Sequence, residues 1–274
     1  SMTYVPMGGN LPRPHPEYTK KLADLYASMG ITAENVANRY DVSREAQDEF
    51  AYQSQMKAAE AKSKKLYKEL VPTPATRYVP REDGTYKKET FMQDFDDGIR
   101  EDTTLEGLAN LNPVFAAGGT VTAGNASGIN DAAAAVLLMS ADKARDLGLT
   151  PLVAIKAFAS GGLDPAYMGL GPVPATQKLL SRTGWRLEDF NVIELNEAFA
   201  SQALAVLREL RVADDDPRVN PCGGAIALGH PLGMSGARLV GTAMRTLARK
   251  GGTRALATMC VGVGQGISLA LQRV

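Results

Sequence analysis

His230, one of two histidines in the chain, sits in the run Gly223-Gly224-Ala225-Ile226-Ala227-Leu228-Gly229-His230-Pro231. An imidazole in a small, glycine-rich turn that leads into a helix can take and return a proton near neutral pH beside a bound substrate. Cys260 ends an apolar run and opens into Val261-Gly262-Val263-Gly264-Gln265-Gly266. A thiol next to an imidazole can act as acid, base or nucleophile. Asn196 follows the run Val192-Ile193-Glu194-Leu195. An amide there can hold a water that donates a hydrogen bond to a developing oxyanion. Three such groups at three element ends form a candidate catalytic site gathered from distant parts of the chain.

Each group also has a plainer reading. Asn196 could be an ordinary helix cap, His230 a satisfied turn histidine, and Cys260 a small core residue. The glycines beside His230 (Gly229, Gly233) and beside Cys260 (Gly262, Gly264) favour chemistry, because they let a ligand approach the backbone. Cys222 reads as packing. The run Gly262 to Gly266 lacks the third-glycine spacing and the following helix of a dinucleotide fingerprint. The acidic groups Asp94, Asp96, Asp97 and Asp214, Asp215, Asp216 lack calcium-loop spacing and read as solvated turns.

The elements that must position these groups follow from pattern. Residues 1–16 read as loop, punctuated by glycine and proline. Pro16-Glu17 opens a helix through Met29, and Thr32-Ala33-Glu34-Asn35 opens a short one. Ser43 caps a long helix to about Leu70, acidic early and basic late. Residues 71–113 read as a polar, irregular excursion. Asp131 begins an alanine-rich helix to Leu147, and Leu152 to Phe158 reads as a buried strand. A helix near Pro174 ends at Gly184, a strand runs from Phe190 to Leu195, and Asn196 caps the next helix. Another helix follows Ser235, and Arg254 to Cys260 and Ile267 to Leu271 form a hairpin. Strand and helix thus alternate over residues 151–274, which predicts an α/β architecture with a helix-covered mixed sheet.

With 274 residues, two domains are expected. Thirty basic and thirty acidic residues balance, which argues against nucleic-acid and membrane-surface partners. Two cysteines make no disulfide framework and suit a reducing compartment, so the cytoplasm is the expected location. No run is long and apolar enough to span a membrane, and the start Ser1-Met2-Thr3-Tyr4 has no signal-peptide pattern.

Asn196-Glu197-Ala198-Phe199, Gly229-His230-Pro231 and Cys260-Val261-Gly262 resemble three of the four signature blocks of the thiolases. Thr120 to Asp131 resembles the family's substrate-channel segment, and Met29 to Asn35 its loop domain. The resemblance implies a thiolase fold of layered helix and sheet halves, with a loop domain over the active site. On it, residues 1–127 are the loop domain, 128–150 a remnant of the N-terminal domain and 151–274 the C-terminal domain. His230 would activate the nucleophile and deprotonate the incoming coenzyme A. Cys260 would exchange a proton with the acetyl carbon. Asn196 would hold the water that forms one oxyanion hole with His230, and the Gly262 backbone would serve the other. Ser127, Gly128 and Ala123 would line the pantetheine channel, Met29 and Phe115 would wall it, and Arg100 would meet the nucleotide end of coenzyme A.

The resemblance also implies that coenzyme A is a co-substrate rather than a bound cofactor, and that no metal is needed. The family's early Cys-x-Ser block is absent from the sequence. An N-terminal thiolase portion would therefore supply the nucleophile, with a homo-oligomer formed once complete. The substrate-end wording, Gly171 to Thr176 and Ala227 to Met234, resembles degradative thiolases of the 3-oxoadipyl-coenzyme A type. Two further readings stand beside this one. One is a catalytically dead module that binds coenzyme A esters or a subunit. The other is a hydrolase with Cys260 as nucleophile.

Overall fold

The protein is described by a computed structural model covering residues 13–274. The reading of the first residues as loop therefore lies outside the described residues up to position 12. In chain order the helices and strands begin with α1 (Pro16–Lys21), α2 (Met29–Arg39) and α3 (Arg44–Ser63). A hairpin of β1 (Thr73–Pro80) and β2 (Tyr86–Gln93) follows, then the short helices α4 (Leu105–Ala109) and α5 (Ala141–Asp146). The remainder is β3 (Val153–Gly162), a 3-10 turn (Pro165–Leu170), α6 (Pro172–Thr183), β4 (Val192–Leu195), α7 (Ala200–Glu209), α8 (Ala225–Leu228), α9 (Leu232–Lys250), β5 (Arg254–Val261) and β6 (Gln265–Arg273).

The expected mixed sheet is present, in the order β3-β6-β5-β4. β4 runs parallel to β5, while β5 and β3 are antiparallel to β6. Side chains alternate between its faces. Ile193, Leu195, Leu256 and Ala270 meet α6 and α7 in the larger core. Val192, Ala255 and Leu271 meet Ala243 and Leu247 of α9 on the other face. The unit is a helix–sheet–helix sandwich. Gly184 ends α6 at φ 68, the left-handed conformation that glycine adopts without strain.

α2 and α3 lie over α7, the 3-10 turn and α8. Buried polar groups fasten them. Glu34 accepts from the Thr120 and Val121 amides at 3.0 and 2.9 Å. Asp48 accepts from Asn125 Nδ2 at 2.9 Å. Ser54 donates to Glu197 at 2.6 Å.

Several expectations are corrected. Ser43 caps α3, accepting from Ala46 N at 3.2 Å, but the helix stops at Ser63. The excursion is ordered as the β1–β2 hairpin, turned at Asp83-Gly84 with Gly84 at φ 80. Residues 131–140 form no helix or strand, and helix begins only at Ala141. Leu137 and Leu138 stand exposed on this strip. β3 is an edge strand with Ile155 and Phe158 exposed, not a buried one, because α9 lies over β4 and β5 on that face rather than over β3. α9 begins at Leu232, ahead of Ser235.

Candidate functional site

The site lies at the ends of β4 and β5, where the parallel pair hands the chain to loops. Asn196 continues the ladder for one step, its amide donating to Thr258 O at 3.0 Å. Its side chain does not cap a helix. α7 starts at Ala200 after Phe199, without a side-chain cap. Instead Asn196 Nδ2 lies 3.2 Å from His230 Nε2, and its Oδ1 is buried with no hydrogen bond among the described residues.

His230 is held from its other side. Ser235 Oγ lies 2.6 Å from His230 Nδ1, and the same hydroxyl donates to Pro231 O at 3.0 Å. With its proton directed to Pro231, the hydroxyl accepts from Nδ1–H. The imidazole is then the Nδ1-protonated tautomer, with its Nε2 lone pair turned to Asn196. Burial, and then the Arg238 guanidinium, lower the His230 pKa to about 4, so the ring is neutral at physiological pH. Gly229 at φ 89 makes the turn that delivers it, and a Cβ there would strike Asn130. Ser235 and Asn130 carried no signal of their own in the sequence.

Cys260 is buried at the end of β5 against Met168 and Ala198, with Met29 and Phe199 beside them. Burial pushes its thiol up to about 12, so it rests protonated. Beyond it the chain turns through Gly262, Val263 at φ 70 and Gly264 at φ 80. A Cβ on Gly262 would meet nothing within 4 Å, so its backbone faces open space. The turn is a hairpin and no helix follows it.

The remaining predicted residues surround this centre in two groups. Phe115 stacks edge-on against Phe199 at 6.1 Å and covers Gly30, while Met29 packs near Cys260. Ser127 N donates to Ala198 O at 3.0 Å, and Ala126 bridges Phe199. Arg100, Ala123 and Gly128 line a cleft of about 450 Å³ that reaches Gly229, next to His230. A cleft of similar size, lined by Glu49, Lys57 and Asp215, shares none of these residues.

Glu197 is the support that the sequence named without a role. Its carboxylate accepts from Ser54 Oγ at 2.6 Å, Asn220 Nδ2 at 2.7 Å and Ile226 N at 3.2 Å. It thereby ties α3 and α8 to the residue following Asn196.

Comparison with known proteins bears on this arrangement. Residues 17–142 match the family description "Thiolase, N-terminal domain" and residues 149–273 match "Thiolase, C-terminal domain". The chain is 57% identical over 248 residues to the beta-ketoadipyl-CoA thiolase of Pseudomonas putida, covering 90% of this chain and 60% of that protein. It is 53% identical to the 3-oxoadipyl-CoA/3-oxo-5,6-dehydrosuberyl-CoA thiolase of Escherichia coli strain K12, with 90% and 60% covered. It is 51% identical to the acetyl-CoA acetyltransferase of Chromobacterium violaceum, with 92% and 62% covered. The crystal structure of the Bacillus anthracis acetyl-CoA acetyltransferase superposes with a TM-score of 0.82 at 41% identity, covering 90% of this chain and 60% of that one. The chain thus spans about 60% of the length of these relatives. Family matches over both parts of its length, and a shared α/β fold, lead to one assignment: the chain belongs to the thiolase family.

Proposed function

We propose that this chain carries the acid–base and oxyanion machinery of a thiolase. The complete enzyme cleaves a 3-oxoacyl-coenzyme A with a second coenzyme A, or runs the reverse Claisen condensation. The single observation that carries the reading is the 3.2 Å contact of His230 Nε2 with Asn196 Nδ2, on the residue that β5, the strand of Cys260, binds through Thr258 O. A base and an acid are poised in their resting states.

In this reading His230 Nε2 takes the proton of a cysteine thiol from outside these 274 residues, and the thiolate attacks the 3-oxo carbon. The bond between C2 and C3 breaks, and its electron pair forms the enolate of acetyl-coenzyme A. A water oriented by Asn196 Oδ1, together with the Nε2–H that His230 has gained, stabilises the enolate oxygen. Cys260 gives its proton to C2 and becomes a thiolate. His230 passes its proton to that thiolate and then takes the proton of the second coenzyme A thiol, which attacks the acyl-enzyme. The Gly262 amide serves that tetrahedral oxyanion, and as it collapses the proton on His230 goes to the departing nucleophilic cysteine. Arg100 meets the phosphates of coenzyme A, while Ala123, Ser127 and Gly128 line the pantetheine path beneath Met29 and Phe115. Residues 1–127 serve as the loop region over the site, 128–150 as part of the N-terminal domain and 151–274 as the C-terminal domain. For the acyl group we favour 3-oxoadipyl, after the names of the Pseudomonas putida and Escherichia coli relatives. The partners are coenzyme A, acyl-coenzyme A esters, the remaining thiolase portion and further copies of the completed protein.

The test is an assay of the purified protein with 3-oxoadipyl- and acetoacetyl-coenzyme A. It is run with and without coenzyme A, and with and without a polypeptide matching the rest of the Pseudomonas putida relative. Coenzyme A-dependent cleavage, reduced about 10²–10⁴-fold by H230A and by C260S, is the expected result. Hydrolysis without coenzyme A would instead favour a Cys260 nucleophile. Binding of coenzyme A esters without turnover in every combination would favour a non-catalytic module.

A further inference from the structure

Behind the His230–Asn196 contact lies a buried glutamate–arginine pair that this chemistry does not use. Glu194 stands two residues before Asn196, so both side chains leave the strand on the side that faces α9. On α9, Arg238 stands three residues after Ser235, on the same helix face. Arg238 Nη1 lies 3.6 Å from Glu194 Oε2. Glu194 is wholly buried and the Arg238 side chain is 12% exposed. Among the described residues, neither Glu194 oxygen nor either terminal nitrogen of Arg238 makes a hydrogen bond. A buried pair so poorly bonded is a weak source of stability, because desolvation opposes its attraction. Its place is more telling. β4 carries Asn196 and α9 carries Ser235, whose hydroxyl holds His230. The pair crosses from one element to the other, one step behind the contact on which the site depends.

We propose that the Glu194–Arg238 bridge is a positioning device for His230 and Asn196: it sets α9 against β4 and lays a fixed positive charge behind the imidazole. The inference rests on the reading of His230 as the base of the site. After burial itself, Arg238 is the group that opposes protonation of His230. Around the guanidinium stand Glu194 of β4, Tyr67 from the segment after α3 and Asp96 from the segment after β2. Glu69 lies near Glu194 and Asp96 and accepts from Thr242 of α9 at 3.1 Å. Lys57 of α3 and Glu197 lie near Glu194. These acidic groups surround Arg238, which stands on the same face of α9 as Ser235.

The chain has only two histidines, and His15 is exposed, so one labelled sample reports both rings. The experiment is an NMR pH titration of histidine-labelled protein as wild type, R238M, R238K and E194Q. In the wild type His230 titrates well below the ordinary histidine value of 6.5. R238M raises the His230 midpoint by about one pH unit or more. R238K, which keeps the charge, stays within a few tenths of wild type, and E194Q does not raise the midpoint. A folded R238M whose His230 titrates as in wild type overturns the proposal, as does a wild-type His230 that titrates at the ordinary histidine value. A purely structural arginine would lower stability in R238M without moving the midpoint. Should R238M fail to fold, R238Q against R238K makes the same comparison, and the wild-type titration stands by itself. Because the readout is not turnover, loss of this proposal leaves the thiolase reading intact, and the reverse also holds.

Discussion

Keeping His230 neutral makes the fold sensitive to mild acid. Its folded pKa of about 4 lies below the ordinary 6.5. Between those values the unfolded chain binds more protons than the folded one. The His230 contribution is therefore complete above pH 6.5 and falls away as pH drops towards 4. The whole shift corresponds to about 3 kcal/mol. H230Q removes the titrating group and keeps a polar side chain of similar reach. In urea unfolding, wild type should lose about 2–3 kcal/mol more than H230Q between neutral pH and pH 4.5. Equal losses would show that the ring is not held neutral. The comparison is made by difference because Glu194, raised to about 8 by burial, acts in the opposite sense as pH rises.

At the scale of elements, the site depends on two backbones lying against each other without a side chain between them. A Cβ on Gly266 would fall 2.0 Å from the Gly171 carbonyl carbon, and one on Gly171 would fall 2.0 Å from Gln265 O. This contact seats the start of α6 on the start of β6, just past the turn that carries Gly262. Backbone cannot step aside as a side chain can. G266A should therefore destabilise by about 3 kcal/mol. G241A, on α9 with nothing within 4 Å of its Cβ, should be neutral or slightly stabilising. Thermal unfolding of the two variants side by side checks this, and a G266A as stable as G241A would refute it.

What was legible in the sequence divides along the same line. The three chemistry-bearing residues announced themselves through glycine neighbours and strand ends. The alternation of strand and helix after residue 151 gave the sheet. The Asp83-Gly84 turn signal of the β1–β2 hairpin was available but lay within a polar, proline-bearing stretch. Asp131–Ser140 reads as helix by its alanines, yet a short apolar run has no periodicity that separates helix from strand. Asn196 has the composition of a cap but turns to the imidazole instead. Ser235, Glu194 and Arg238 were silent because their roles come from contacts across elements, which spacing along one element does not encode.

At the scale of the whole molecule, residues 131–140, which form no helix or strand, join two stretches of chain that are fastened to each other elsewhere. Leu137, Leu138 and Met139 are exposed among them, and Ile155 and Phe158 add an apolar surface on the sheet edge. The chain before the strip meets the chain after it through Ala200 N to Asn125 O at 2.9 Å, Ser127 N to Ala198 O at 3.0 Å and the Ser54–Glu197 bond at 2.6 Å. Thermolysin, which cuts beside large apolar residues, should make its first cuts within residues 131–140. The two pieces should still migrate together in native gel filtration and part only in denaturant. First cuts elsewhere, or pieces that separate under native conditions, would contradict this. Continuity of the polypeptide at the strip is then dispensable. The protein can be expressed as a split pair, whose reassembly from two separately made chains reports directly on whether Asn196 and His230 have been brought back into register.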